Sequence, residues 1–589
     1  MVIKEKLSAL RSEMDKNNID AFIIYSSDPH ASEYLPEEWK ERTWISGFTG
    51  SAGWVVVLKD KAGLWTDGRY FTQANIQLKN SGIDLFKDGI EGTPNYIDWI
   101  ASETKDYATV GVNALATTHA NWINVKNTLK AKNKKLVHLP LLENIWVNRK
   151  APSQNPVFVH PIEKAGETVE SKITNIRKKI KEKGCSAHII NTLDDIAWIL
   201  NLRGSDVECN PVFLSYLFIT EEKSILFVDK DKLTSEAITA MQNSNVSLRS
   251  YSDLFTFLKE IKNEVIWVSP NVNQSIIMAL EQNNNFHVAP TPSSLMKAVK
   301  NKTELAGFRS AMVKDGVAMV NFLYWLTHNV GNEPLTEFSI GEKLEGFRRE
   351  QKDFVGISFD SIVGYKGNGA IIHYRAPENG SAEVTNDGSI LIDSGGQYKE
   401  GTTDITRTLP LGKVSDEFRR DYTLVMKGHI QLGMSKFPKG TRGVQLDTLA
   451  RLALWKEGKD YNHGTGHGVG SFLNVHEGPQ NIRKDMNPQE LLEGMVISNE
   501  PGYYIEDRYG IRHENLIVVT EWKKTEWNTF YEFETITYCP FFSTPLIKDL
   551  LSDDEIQWYN DYHKMVKEKL EPYLEGDVKK WFLEMVKPI

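Results

Sequence analysis

Four stretches decide how this chain reads: LIDSGGQYKEGTTDITRT (391–408), HGTGHGVG (463–470), SNEPGYY (498–504) and IRHEN (511–515). Together they supply Asp393, Asp404, His467, Glu500 and Glu514. Four carboxylates and one imidazole suit hard or borderline divalent ions, Mn²⁺ first, with Zn²⁺ and Co²⁺ as alternatives. Gathered without cations, such carboxylates repel one another and take up protons. The set therefore predicts a cage for two metal ions.

The spacing says how the cage is built. Asp393 ends the apolar run Ser389–Ile392, and Asp404 opens the alternating stretch Asp404–Thr408, with Gly395, Gly396 and Gly401 between them. That is the pattern of a hairpin whose neighbouring strands aim two carboxylates at one spot. His463 and His467 have the i, i+4 spacing of a helical zinc pair, but glycines at 464, 466, 468 and 470 oppose a helix. An irregular strand or loop is expected there. Glu500 stands at a strand end before Pro501–Gly502, and Glu514 on a strand running into Asn515–Val519. Carboxylates mounted on or beside strands are held rigidly.

Working outward, 589 residues exceed one domain. A net charge of -9 and a pI near 5.9 leave no electrostatic footprint for nucleic acid or an acidic membrane surface. The three cysteines (Cys185, Cys209, Cys539) are too scattered for a disulfide framework or a Cys-based zinc site. The first twenty residues mix acids and bases at helical spacing without the apolar core of a secretory signal, and no apolar stretch is long enough to span a bilayer. A cytoplasmic protein is expected.

Along the chain, an amphipathic helix (about 3–16) precedes the strand Ala21–Tyr25. GFTGSAGWVVVL (47–58) and LWTDGRYF (64–71) read as two buried strands around a turn, with Asp67 and Arg69 as hydrogen-bonded turn residues or a subunit contact, and a catalytic pair as the alternative. After the Pro-bearing stretch 148–161 the pattern returns: Ala187 follows Ala21 by 166 residues, and Asp229 follows Asp67 by 162. Two copies of one α/β unit are expected. A second boundary falls in 287–304, followed by a long helix over Thr303–Thr327. The tail beyond Thr520 carries apolar positions (Phe541, Phe542, Leu546, Trp558, Tyr559, Tyr562) that read as packing or a dimer surface.

The four motifs, with GFTGSAG and WTDGRYF, resemble the pita-bread metallopeptidases over essentially the whole chain, above all the long, three-domain cytosolic aminopeptidase P group. The resemblance implies α/β and α+β domains: two creatinase-like N-terminal domains (1–155 and 156–300) and a pita-bread catalytic domain (301–589) with an extension from about 525. It implies two Mn²⁺ ions, a homodimer, and substrates with proline in second position. It implies that Asp393 holds one ion, that His467 and Glu500 hold the other, and that Asp404 and Glu514 bridge both. His373 then binds substrate, His476 hydrogen-bonds the substrate carbonyl, His463 lines the proline pocket, and Arg512 stands beside the bridging glutamate. His513, between Arg512 and Glu514, departs from the short bacterial forms without touching the ligands.

The reaction so implied is attack of a metal-bridging hydroxide on the carbonyl before proline, with Glu500 passing the proton to the departing nitrogen. Two rivals bound this reading. A prolidase would use the same ligands on Xaa-Pro dipeptides alone. Metal-free pita-bread relatives that bind histones or RNA lack several ligands, whereas all five are present here.

Overall fold

The helix expected at the N-terminus forms as α1 (Ile3–Lys16), which buries Leu7, Leu10 and Met14 at helical spacing. It covers a six-stranded sheet of β1 (Ala21–Tyr25), β2 (Trp54–Leu58), β3 (Ala62–Thr66), β4 (Asp84–Lys87), β5 (Thr109–Val112) and β6 (Lys135–His138), in the order β4-β3-β2-β1-β5-β6. GFTGSAG lies outside the strand expected over 47–58. Gly47 and Gly53 have φ of 75° and 145°, which break the extended path until Trp54. Arg69 clasps Asp67 through Nε and Nη2, both at 2.8 Å, so this pair closes a turn.

The chain then repeats itself. Helix α2 (Val169–Glu182) leads into β7 (Ala187–Ile190), β8 (Ser215–Thr220), β9 (Ser224–Val228), β10 (Val246–Arg249), β11 (Val265–Val268) and β12 (Asn285–Val288). Their order, β10-β9-β8-β7-β11-β12, matches the first sheet strand for strand. So do the directions: the first strand of each sheet is antiparallel to the second (β1 to β2, β7 to β8) and parallel to the fifth (β1 to β5, β7 to β11). The offset of some 165 residues thus marks a structural duplication.

Residues 1–160 and 167–293 form one compact unit, and residues 161–166 with 294–589 a second, in a computed structural model that describes all 589 residues. The second unit opens with α3 (Lys302–Asn329), capped by the reciprocal Asn301–Glu304 pair, and α4 (Glu337–Arg349). One sheet is built from β13 (Phe354–Tyr365), β14 (Ser389–Tyr398) and β15 (Ile405–Pro410), with β14 in the middle and buried throughout. The other contains β16 (Lys436–Pro438), β17 (Gly466–Gly468), β18 (Glu477–Ile482), β19 (Val496–Asn499), β22 (Asn515–Lys524) and β23 (Thr529–Thr535), in the order β16-β23-β22-β19-β17-β18. Between β19 and β22 the chain makes a hairpin of β20 (Gly502–Ile505) and β21 (Tyr509–Arg512). Helices α5 (Asp416–Gly433), α6 (Gly443–Trp455), α7 (Asp553–Leu570) and α8 (Gly576–Met585) complete the unit. The tail residues Phe541, Phe542, Leu546, Tyr559 and Tyr562 are buried, so they serve as packing. The three cysteines are free.

Candidate metal centre

Each predicted ligand leaves a strand or a strand end, as its local pattern requires. Asp393 sits on β14, opposite Thr406 of β15 and Ile362 of β13. Asp404 precedes β15 by one residue. The approach is tight: a Cβ at Gly395 would overlap the Thr403 carbonyl, so only glycine lets the 403–404 segment fold back onto β14. His467 lies on β17, a three-residue strand with a register irregularity, and not on a helix. Glu500 follows β19, with its N–H donating to Thr465 O at 2.8 Å. Glu514 joins β21 to β22, with its N–H donating to Thr406 O at 3.2 Å.

These side chains converge. Ligand atoms of Asp404, His467 and Glu514 lie within 4.8 Å of one another. His467 Nε2 is 3.4 Å from Asp404 Oδ2 and 3.5 Å from Glu500 Oε1. Its Nδ1 faces the Gly468 carbonyl at 2.9 Å; a carbonyl only accepts, so Nδ1 carries the hydrogen and Nε2 keeps its lone pair for a metal. Thr406 Oγ1 donates to Glu514 Oε2 at 2.7 Å, and Ser498 Oγ to Glu500 Oε1 at 3.0 Å. Asp393 Oδ2 accepts from Arg512 Nη2 at 2.6 Å, while its buried Oδ1 has no hydrogen-bond partner.

The electrostatics call for cations. Four carboxylates, largely buried, face one permanent positive charge, Arg512. Burial pushes Asp393 up to about 6, Arg512 opposing this and Asp404 and Glu500 adding to it. Burial and the neighbouring acids also raise Glu500 and lift Glu514 well above the usual range. Burial alone would lower His467, yet Asp404 and Glu500 carry it to about 9. Acids that protonate when nothing neutralises them, an orphaned carboxylate oxygen and an imidazole nitrogen aimed among them fit a divalent metal centre.

The other predicted site residues fall around this cage. The His476 and His467 rings meet edge to face, with centroids 4.4 Å apart. His463 Nδ1 donates to Gly464 O at 2.8 Å and its Nε2 accepts from Tyr504 Oη at 2.8 Å. Tyr504 Oη in turn accepts from Arg512 Nη1 at 2.7 Å, which links His463 through Tyr504 and Arg512 to Asp393. Arg512 Nη2 also reaches the carbonyl of Ile372 at 3.5 Å, and His373 is the next residue along the chain. His513 turns away against Tyr422, its ring 4.3 Å from that phenol and its Nε2 donating to Tyr422 O at 3.3 Å.

Sequence reasoning missed Tyr504. In SNEPGYY it reads as one of two strand aromatics, and only its hydroxyl, placed between Arg512 and His463, sets it apart from Tyr503. Sequence reasoning also missed the polar layer behind the ligands. Asn499, next to Glu500, and Asn515, next to Glu514, both bond His429 of α5. Asn515 Oδ1 also accepts from Arg407 Nη2 at 2.9 Å. The buried Arg407 donates further to the carbonyls of Glu514, Cys539 and Pro540 and to Tyr562 Oη of α7.

Residues 306–521 match the family model of metallopeptidase family M24, and residues 529–589 that of the C-terminal region of peptidase M24. Residues 6–143 and 148–304 each match a creatinase/prolidase N-terminal domain. A probable Xaa-Pro aminopeptidase P of Sordaria macrospora is 40% identical over 610 residues, which cover 99% of either chain. The solved X-prolyl aminopeptidase of Caenorhabditis elegans, described as a cytosolic enzyme with a di-nuclear active site, is 35% identical and covers 100% of both chains at a TM-score of 0.96. The prolidase of Pyrococcus horikoshii shares the fold at a TM-score of 0.51 and 23% identity, covering 63% of this chain and 99% of its own. The likeness to the Sordaria and Caenorhabditis relatives, at 40% and 35% identity, runs the full length of the chain and not only through its metal-bearing half, which makes this chain a member of the Xaa-Pro aminopeptidase group of metallopeptidase family M24.

Proposed function

We propose that this chain is a metal-dependent aminopeptidase that hydrolyses the bond between an N-terminal residue and a following proline. The observation that carries the reading is the convergence of Asp404, His467 and Glu514 within 4.8 Å, with Glu500 and the half-orphaned Asp393 beside them. Two divalent ions, when bound there, supply Lewis-acid activation of water and neutralise developing charge. Asp393 would serve one ion, His467 and Glu500 the other, and Asp404 and Glu514 both. Mn²⁺ suits a set so rich in carboxylates better than Zn²⁺ or Co²⁺.

The chain's own groups do the rest. Glu500, held by Ser498 at 3.0 Å, accepts the proton of the attacking water and delivers it to the imino nitrogen that leaves. His476, packed on His467, donates to the substrate carbonyl oxygen, an interaction of a kind worth about 3–4 kcal/mol in the transition state. Proline has no N–H and a fixed φ, which defeats peptidases that grip an extended backbone. The His463–Tyr504 pair forms a wall for the ring, and His373 contacts the substrate from the rim. The substrate's free amine lies toward Asp393, which leaves space for one residue before the scissile bond.

We further read the chain as dividing near residues 155 and 300, with the C-terminal extension beginning at about 525. A cytosolic location agrees with the description of the Caenorhabditis elegans relative, and no helix is long and apolar enough to cross a membrane. A homodimer is the expected assembly, to be checked by sedimentation.

The test is turnover of an Arg-Pro-Pro peptide and of an Xaa-Pro dipeptide after stripping the protein and restoring Mn²⁺, Co²⁺ or Zn²⁺. Activity on the longer peptide should vanish on stripping and return best with Mn²⁺. Cleavage confined to the dipeptide would make the protein a prolidase, and metal-independent cleavage would remove the dinuclear reading.

A further inference from the structure

Glu337 opens α4 and is fully buried, far in sequence from every predicted ligand. Its carboxylate collects donors from a single segment. Oε1 accepts from the Tyr365 N–H at 2.7 Å and from Asn368 Nδ2 at 3.0 Å. Oε2 accepts from the Tyr374 hydroxyl at 2.7 Å, from Asn368 Nδ2 at 3.1 Å and from the Ala382 N–H at 3.3 Å. One buried acid thus fastens the end of β13 and the middle and end of residues 366–382, a stretch with no regular structure beyond a short 3-10 turn at Lys366–Ala370.

His373 lies inside that stretch, one residue before Tyr374. The residue on its other side, Ile372, offers its carbonyl to Arg512 Nη2, the nitrogen that also holds Asp393. Nearby, Gly369 and Gly510 bring their backbones together so closely that a Cβ on Gly510 would overlap the Gly369 oxygen. His373 is therefore hung between two anchors. One belongs to the metal-bearing strands and the other to α4. A carboxylate that satisfies four separate donors in a dry setting is a strong fastener, because each bond is charge-assisted and few waters compete for it.

We propose that Glu337, acting through the Tyr374 hydroxyl, is the positioning residue that fixes His373 against the substrate. The inference rests on the reading of His373 as a substrate-binding group. Loops lacking regular structure hold a side chain to catalytic tolerance only with such second support, and a displacement near 1 Å at a substrate contact costs up to about a hundredfold in rate.

The experiment compares Tyr374→Phe, Glu337→Gln and His373→Ala, and each of the first two combined with His373→Ala, in the full-length metal-loaded protein. Turnover of an Arg-Pro-Pro peptide, metal content and amide exchange over residues 366–382 are measured for all. Tyr374→Phe removes one hydroxyl and keeps the ring, so it decides the matter if Glu337→Gln fails to fold. Expected for both is a loss in kcat/KM of about tenfold or more with metal content unchanged and faster exchange confined to 366–382. Added to His373→Ala, each should cost less than about twofold, because the two changes break one route. An equal loss with and without His373, or full activity in Tyr374→Phe while His373→Ala is impaired, overturns the proposal. A fully active His373→Ala removes the substrate role of His373 itself, and the positioning role with it.

Discussion

His188 shows, at a single residue, what burial does to a titratable group. It lies on β7 with no exposed surface; its Nδ1 donates to Trp267 O and its Nε2 accepts from Thr291 Oγ1, both at 2.9 Å. Burial pushes it down to about 4, against the opposing bond to Trp267. The same ring in the unfolded chain titrates near 6.5. Between those values the unfolded state binds the extra proton, so stability rises with pH. The contribution is complete above 6.5 and is lost as pH falls through 4, in total about 3 kcal/mol. The melting midpoint of the first unit should fall across that window, and His188→Gln should flatten the slope. An unchanged slope in calorimetry would place the acid sensitivity elsewhere. Burial acts on the ligand carboxylates in the same sense, favouring their neutral form unless cations lie among them.

Strands β14, β15, β19 and β22 hold the cage in place, and what fixes them to one another is the Arg407 layer. Arg407 leaves β15 from the face away from the metal, lies 3.9 Å over the Phe541 ring and reaches β22 through Asn515. Tyr562 of α7 accepts from it at 3.0 Å and donates to Cys539 O at 2.7 Å. Tyr562→Phe would take away one of the three acceptors that share the two N–H groups of Arg407 Nη2, together with a donor to Cys539 O, a loss of about 1–3 kcal/mol. The melting midpoint of the second unit should drop by a few degrees, and metal affinity should fall with it, read by competition with a chelating dye. Loss of stability with unchanged affinity would confine Arg407 to packing. How much of this was legible follows from range. The hairpin of β14 and β15 declares itself by alternation and glycines within twenty residues, and His467 by the glycines that forbid a helix. The repeated sheet shows in the spacing of its apolar strands. Arg407 meets its partners more than a hundred residues away, and Glu337 looks like an ordinary acid in a first helical turn. Nothing local marks either one. Tyr504 was in plain view inside its motif, but period-2 aromatics read as strand packing until the Arg512 bond is seen.

Each unit has a core of its own, Ile23, Val56 and Trp65 or Phe218, Phe227 and Ile266 in the first and Val425, Leu516 and Phe541 in the second. Only the second carries the metal ligands. A ligand that binds the folded form of one unit alone stabilises that unit by mass action, about 2.7 kcal/mol per ion at a hundredfold excess over Kd. Spread over the unfolding entropy of some 300 residues, this is about 4 °C per ion. A chain of this organisation should unfold in two calorimetric transitions. Adding chelator should lower one of them by roughly 4–8 °C and leave the other in place. Asp404→Ala should start at the lowered value and respond to chelator no further, which separates loss of the ions from loss of the fold. Were both transitions to move together on chelation, the ions would be stabilising the whole chain, and the centre could no longer be treated as a property of residues 294–589 alone.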